Sequence, residues 1–230
     1  MERLTGVEEF LDGPLNDRRA LEANLRDLRR INWLTGGATL SVRAVRGLVA
    51  DGGSVLDVGT GGADIPVRLI ADARQRGVTL EVTATDSRQE VLQAALAVRP
   101  ELEHVPGLTL GLADGRRLPW PDGTFDAAHA SLVIHHLEPG DAVAFLRELR
   151  RVARQGIVVN DLARGRLAWL GAWLVTHSLA AGRYTRHDGP LSVRRAYTKH
   201  EMEDLLREAG LEPTMTFVGF AGHRYAIVAR

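Results

Sequence analysis

The sequence predicts an open, doubly wound α/β sheet, mostly parallel, that ends in an antiparallel hairpin. Three observations carry this. Short apolar, β-branched runs alternate with segments of helical period along most of the chain, as when each strand is followed by a covering helix. The first such run ends in Gly59-Thr60-Gly61-Gly62 and leads straight into a helical segment. The last two runs are separated only by a short Gly-containing loop, too short for a crossover.

Taken in order, Leu21, Leu25, Leu28 and Ile31 recur at helical spacing after a candidate cap at Asn16. A second helix is expected over 40–49. Residues 54–58 form a short apolar run, hence a buried strand, and 64–76 the helix after it. Residues 80–85 alternate and read as a strand; Ser87 is a candidate cap for the next helix, which ends before Pro100. Strands are expected at 108–112, 125–134 and 156–159, with a helix over 141–152 whose Val143, Leu146, Leu149 and Val152 share one face. Residues 165–182 read as a strongly apolar helix and 183–197 as an irregular basic stretch. Thr198-Lys199-His200-Glu201 matches a capping box and opens a helix that ends at Gly210. The hairpin strands are 214–218 and 225–228.

Composition narrows the function classes. The chain has 230 residues, 45% hydrophobic and 25% charged, ordinary globular values. Its 29 basic and 29 acidic residues cancel, which argues against a nucleic-acid binder. It has no cysteine, so disulfides, thiolate zinc sites and cysteine nucleophiles are excluded. Residues 1–15 are acidic and broken by Gly13-Pro14, unlike a signal peptide, so a cytoplasmic protein is expected. The organisation expected is an N-terminal helical cap over 1–52 and a main domain over 53–230, with 162–197 as a substrate-side insertion.

The glycine turn is the most informative segment. Its glycines let backbone approach a ligand closely, and the helix beyond them offers free N–H groups. Dinucleotide-binding folds share that pattern. Asp86, at the end of the second strand, can accept both hydroxyls of a ribose, and Asp114, after the third, can accept from an adenine amino group. Any one of these acids could merely cap a turn; their recurrence at successive strand ends points to a ligand.

These residues together resemble the class I S-adenosylmethionine-dependent methyltransferases. The likeness is carried by Val55-Leu56-Asp57-Val58-Gly59-Thr60-Gly61-Gly62-Ala63-Asp64, by Asp86, by Leu112-Ala113-Asp114, and by Leu118-Pro119-Trp120-Pro121-Asp122-Gly123-Thr124-Phe125-Asp126. Leu132-Val133-Ile134-His135-His136-Leu137 and Phe145-Leu146-Arg147-Glu148-Leu149-Arg150-Arg151-Val152 complete it. It runs from about residue 53 to 230. It implies a Rossmann-like seven-stranded sheet with N-terminal helices and a helical insertion after the fifth strand. It implies S-adenosylmethionine as cofactor and S-adenosylhomocysteine as product. Asp57, Gly59 and Gly61 would surround the methionine part, Asp86 would hold the ribose and Asp114 the adenine. Thr60, Asp64, Ser87, Ala113, Gly115 and Ser131 fill out the implied cofactor set. One departure stands out: Ala63 replaces the family's third glycine. Binding is expected to survive it, although it is the one feature leaning toward a non-catalytic binding subunit.

A hydroxyl acceptor needs a base, and His135 and His136, just after the fourth strand, are the candidates, with His136 preferred. The rival reading is that they only pack or hydrogen-bond beneath the cofactor. No metal site is expected, because adjacent histidines in an extended segment diverge and no paired carboxylates flank them. On the substrate side the candidates are Arg30, Trp33, His136, Trp173, His187, Arg194 and Tyr197. Residues 167–181 are apolar nearly all round, which predicts a buried helix, the roof of a greasy pocket, or a membrane-surface contact. Asn160-Asp161-Leu162, this helix and Ser192-Val193-Arg194-Arg195 look similar to a bacterial subgroup that accompanies type III polyketide synthases. The resulting expectation is methyl transfer to a hydrophobic small molecule, by O-methylation of a phenolic or polyketide-type acceptor. The alternatives are C-methylation of a quinone-like ring and the non-catalytic binding subunit.

Overall fold

The structure, a computed structural model, describes residues 1–180 and 182–230. Seven strands form one sheet in the order β3-β2-β1-β4-β5-β7-β6. They are β1 (Gly53–Val58), β2 (Leu80–Asp86), β3 (Leu108–Leu112), β4 (Phe125–Ser131), β5 (Ala153–Leu162), β6 (Pro213–Val218) and β7 (Arg224–Ala229). Neighbours from β3 to β5 are parallel; β7 runs antiparallel to both β5 and β6. The helices are α1 (Arg18–Leu34), α2 (Gly37–Arg46), α3 (Asp64–Gln75), α4 (Gln89–Val98), α5 (Pro139–Val152), α6 (Arg166–Leu179), α7 (Arg183–Arg195) and α8 (Lys199–Glu208). The chain leaves β1 toward β2 on one side and returns as β4 on the other. That switch opens a crevice at the carboxyl edge of the sheet, where ligands of such folds bind.

Alternation along the strands separates two cores. Leu56, Ala128, Ala130, Ile157, Val159, Tyr225 and Ile227 face α5 and α8. Val55, Ala127, Val158, Ala226 and Val228 face α2 and α3. The 1–52 segment is therefore not detached from the sheet: α2 shares a core with it, while α1 packs on α4 and on Ala63 beside the glycine turn.

The same alternation places polar side chains in a row on the α2 side. Asp57 pairs with His129 across β1 and β4, Ser131 with Asn160 across β4 and β5, and Leu162 with Arg224 across β5 and β7. Asp57, His129, Asn160 and Arg224 thus share one face, and all are buried. His129 Nδ1 bonds Asp57, and its Nε2 lies 2.7 Å from Ser41 Oγ on α2. Asn160 Nδ2 donates to Ser41 Oγ at 2.7 Å and to the Gly37 carbonyl at 2.8 Å. Arg224 donates to Asn160 Oδ1 and Asn32 Oδ1, each at 2.6 Å, and to Ser131 Oγ at 2.7 Å. Asn32 passes the chain to Asp64 at 3.0 Å. Gly37 is required here: a Cβ at this position would sit 2.3 Å from Arg224 Nη1.

Several sequence expectations need correction. Residues 183–197 are not irregular; 183–195 form α7, with Pro190 inside it. Burial of Tyr184, Asp188 and Ser192 along one stripe outweighs the local preference of Gly189-Pro190 for a turn. The apolar helix α6 is not buried. Leu167 is 81% exposed and Trp173 42%, because α6 packs chiefly on α7 and leaves its outer side open. Ala181, which ended that expected apolar stretch, lies outside the described residues. The cap of α1 is Asp17, which accepts from Ala20 N, rather than Asn16. Ser87 does not cap α4, whose N-cap is Arg88. Strand β4 stops at Ser131, and a 3₁₀ turn, Ile134–His136, follows it. The capping box at Thr198 forms as expected. Among the described residues no helix is long and apolar enough to cross a membrane.

Replacing Arg224 by methionine keeps the bulk but strands Asn160, Asn32 and Ser131. Each unsatisfied buried group costs ~1–3 kcal/mol, so Arg224→Met should lower unfolding free energy by ~3 kcal/mol. A urea midpoint unchanged from that of the parent would show that the row carries no stability.

Candidate functional site

The glycine turn is built by backbone conformations that only certain residues accept. Gly59 has φ +74°, and a Cβ there would lie 2.4 Å from Val133 Cγ2, so glycine is needed twice over. Ala63, the N-cap of α3, has φ 52°. A left-handed alanine costs ~1–2 kcal/mol. Its methyl is fully buried against the α1 and α4 core, which returns ~0.8 kcal/mol and lets alanine stand where glycine is usual.

Asp86 Oδ2 accepts from Gly61 N at 3.1 Å, and Oδ1 accepts from Arg88 N at 3.1 Å. Burial pushes this carboxyl above the usual range. Asp86 therefore lies at the glycine turn and fixes it. Thr60 is buried, and its Oγ1 has no hydrogen-bond partner in the protein.

The other expected cofactor residues divide. Asp57 does not offer a free carboxylate to the crevice; it faces His129 beneath the turn. Asp64 accepts from Asn32, and burial raises its pKa. Ser131 is taken by Arg224. Asp114 is half exposed and bonded to Arg116 N, Nε and Nη2, which hold it below the usual carboxylate range. Ala113 is buried and Ser87 exposed. Gly115 serves packing, since a Cβ there would meet Phe145 at 2.4 Å. An orphaned hydroxyl at the turn, carboxylates at two strand ends and a close-approach glycine together fit an adenosyl cofactor.

Beside the crevice, past the ends of β4 and β5, lies a cavity of about 510 Å³. Its walls are mostly aliphatic, from Leu28, Ile31, Leu34, Leu132, Leu162, Leu167, Val175 and Val193. One corner is polar. His135 Nδ1 lies 2.7 Å from Asp161 Oδ1, and Asp161 Oδ2 accepts from His135 N at 3.2 Å. Burial acts to raise Asp161, but His135 outweighs it and holds the carboxyl low. His136 Nδ1 lies 2.8 Å from Asp12 Oδ1. Burial acts against Asp12 too, yet His136 and Arg195 hold it well below the ordinary range. Both Nε2 atoms lie 3.9 Å from the carboxylate of Glu9. Glu9 is only 3% exposed, and burial pushes it up to about 7.

The two histidines do not diverge, contrary to the sequence expectation. The 3₁₀ turn brings their rings to 4.2 Å, and a carboxylate does stand nearby, supplied from 126 residues upstream. No local spacing signals Glu9 or Asp12; their acidity was visible only as a property of the N-terminal segment.

Of the expected substrate residues, His136 lines the cavity and the others do not. Arg30 is exposed and Trp33 is 72% exposed, because α1 turns Asn24, Leu28, Ile31 and Asn32 inward instead. Trp173 stacks on His177, and His187 on Phe10. Tyr197 is buried and donates to the Leu137 carbonyl at 2.8 Å. Arg194 is exposed, whereas Arg195 is buried and reaches Asp12 and the His136 carbonyl. In a helix adjacent residues point about 100° apart, so only one of the pair can turn inward. Arg224, a buried cation brought down to about 10 by desolvation, also lines the cavity and was missed.

The comparisons with known proteins agree with this geometry. A family model described as a methyltransferase domain matches residues 55–156. The ubiquinone/menaquinone biosynthesis C-methyltransferase of Rickettsia akari (strain Hartford) is 35% identical over 72 residues, which are 31% of this chain and 29% of that protein. The chain thus matches less than a third of that relative's length. A SAM-dependent methyltransferase from Aquifex aeolicus has a TM-score of 0.64 at 20% identity, covering 90% of this chain and 97% of that one. The mitomycin 7-O-methyltransferase MmcR has a TM-score of 0.69 at 18% identity, covering 97% of this chain and 60% of that one. At these identities the solved structures speak for the fold alone. The domain matched over residues 55–156, the strand order that ends in a reversed hairpin and the glycine turn capped by Asp86 together support a class I S-adenosylmethionine-dependent methyltransferase.

Proposed function

We propose that the protein methylates an oxygen of a hydrophobic small molecule, phenolic or polyketide-like, held in the cavity at the ends of β4 and β5. The observation that carries this is the cavity itself: about 510 Å³, aliphatic on most sides, with two carboxylate-held histidines at one corner. Pockets of this size and lining suit small organic ligands. A mitomycin 7-O-methyltransferase shares this fold, so the fold admits an oxygen acceptor without selecting it. The partial match to C-methyltransferases favours a ring carbon instead, which makes C-methylation of a quinone-like ring the second reading.

S-adenosylmethionine, when bound, supplies a methyl group on a positively charged sulfur that becomes neutral on transfer. The protein's part is to position, dry and deprotonate. Aliphatic side chains of α1, α6 and α7 exclude water and orient the acceptor; alignment of reacting groups contributes up to ~7–11 kcal/mol. The acceptor proton passes to a histidine Nε2. Asp161 and Asp12, hydrogen-bonded at Nδ1, fix which nitrogen is free and stabilise the imidazolium that forms. His136 is the more accessible of the two and takes the proton; His135, nearly buried, holds the turn in place. Asp86 and Thr60 hold the cofactor side.

Thr60→Val should leave the thermal midpoint of the free protein unchanged or raised, since it removes an unpartnered hydroxyl. It should weaken S-adenosylmethionine binding about fivefold, the worth of roughly one hydrogen bond. Asp86→Ala should weaken it tenfold or more. Both are read by calorimetric titration; unaltered affinity in the pair would remove the glycine turn from the cofactor site.

Transfer of labelled methyl to a panel of phenolic lipids, quinones and RNA tests the acceptor. Label on a phenolic oxygen is expected, with His136→Ala lowering turnover ~10²-fold or more while S-adenosylmethionine affinity stays constant. Label on a ring carbon would establish the second reading, and label in RNA would overturn both.

A further inference from the structure

The polar corner of the cavity has a feature that proton transfer alone does not use. Two imidazoles and a carboxylate converge there. His135 Nε2 lies 3.9 Å from Glu9 Oε1, and His136 Nε2 lies 3.9 Å from Glu9 Oε2. The three ligand atoms fall within 4.8 Å of one another. Two ligands at ~2.0–2.1 Å from a tetrahedral zinc ion lie ~3.4 Å apart, so small side-chain rotations suffice to close this set on a cation.

We propose that Glu9, His135 and His136 form a binding site for a divalent transition-metal cation of the zinc type. The surrounding groups are those such a site requires. Each histidine has its other ring nitrogen held by a carboxylate, Asp161 on His135 and Asp12 on His136, the outer partners that orient a metal-ligating imidazole and raise its basicity. Glu9 Oε1 is buried and has no hydrogen-bond partner in the protein, while Oε2 lies 2.9 Å from Ser192 Oγ. A buried carboxylate oxygen without a hydrogen bond calls for a partner, and an ion is one that can serve. Charge points the same way. Glu9, Asp12, Asp161 and Asp188 crowd this corner, against the guanidinium groups of Arg195, 3.4 Å from Glu9 Oε1, and of Arg224, which acts on Asp161 through space. Two nitrogens and one carboxylate suit zinc, iron or nickel better than magnesium or calcium.

All three ligands line the cavity, so coordination positions not filled by the protein are open to water or to an acceptor oxygen. The inference goes beyond the methyl-transfer reading and does not need it. A cation held here takes the lone pairs that receive the acceptor's proton in the metal-free site. In their place it lowers the proton affinity of an oxygen bound to it.

The test is calorimetric titration of the EDTA-dialysed full-length protein with Zn²⁺, and with Co²⁺ as a coloured probe. One saturable equivalent is expected, with Co²⁺ gaining visible absorption of a nitrogen- and oxygen-ligated site. Glu9→Gln and His136→Gln should each weaken binding at least tenfold, and Asp161→Asn about 10–100-fold. His200→Ala should change nothing, since His200 lies exposed on α8. Should one of the buried variants fail to fold, His136→Gln, at a half-accessible position, still decides. Absence of a saturable equivalent overturns the proposal, as does wild-type affinity in both Glu9→Gln and His136→Gln. Titration of each variant with S-adenosylmethionine runs beside it. Lost cofactor binding in the wild type would sink the methyltransferase reading and leave the cation result standing.

Discussion

The structure depends on one buried line of hydrogen bonds, from Asp57 through His129, Ser41, Asn160, Arg224 and Asn32 to Asp64. It begins beneath the glycine turn and ends at the start of α3, and on the way it ties α1, α2 and the reversed strand β7 to the centre of the sheet. Its direction is consistent at every step. Asn160 donates to Ser41; a Ser41 hydroxyl that donates in turn to His129 Nε2 would leave the ring proton on Nδ1, toward Asp57. Arg224 carries the cost. It is wholly buried and its direct partners are neutral, with Asp64 and Asp161 acting only through space. Burying a cation so is unfavourable unless every donor finds an acceptor. The amides of Asn32 and Asn160 and the hydroxyl of Ser131 give each of its three nitrogens one acceptor.

Strand β5 serves two systems through consecutive residues. Asn160 points to the α2 face and joins the buried line; Asp161 points to the opposite face and holds His135. A one-residue slip of β5 would bring either Asp161 or Val159 under Arg224 and either Leu162 or Asn160 to the histidine, and so break at least one of the two systems. Antiparallel pairing with β7 resists this, because Arg224 lies opposite Leu162 and would lose Asn160 in any other register. The N-terminal segment completes the second system. Arg3 bonds the Leu137 carbonyl and Glu138, and the acids at 9 and 12 meet the histidines. The carboxylates that meet both Nε2 atoms and His136 Nδ1 are therefore supplied by the first dozen residues.

What was legible in the sequence follows from the range of the forces involved. The alternation of strands and helices and the hairpin could be read because alternation, glycine placement and capping act within a few residues; the Thr198 capping box is an example. The glycine turn and Asp86 could be read for the same reason. Arg195 could not be separated from Arg194 without knowing that 183–195 is a helix, and that helix forms because tertiary burial of Tyr184 and Asp188 overrides a Gly-Pro pair. The apolar character of α6 pointed to burial, yet its hydrophobic side chains are shared between the cavity and the surface. Glu9 and Arg224 were invisible because their partners are 126 and 64 or more residues away.

Three non-glycine residues lie in the left-handed region, Ala63, Leu132 and Ala221, and the first two shape the turns at the site. Ala63 closes the glycine turn, and Leu132, at φ 58°, closes β4. Each conformation costs ~1–2 kcal/mol and persists only where the surroundings dictate it. For Leu132 the constraint is a hydrogen bond from its N–H to the Asn160 carbonyl at 3.0 Å, so the residue that anchors the buried line also sets this turn. The turn reverses the chain sharply after β4 and lets the 3₁₀ segment aim both histidines at the cavity instead of letting them alternate along an extended strand. Strain at Leu132 and order in the polar row are thus one arrangement: the line of hydrogen bonds holds β5, and β5 holds the turn that makes adjacent histidines work as a pair.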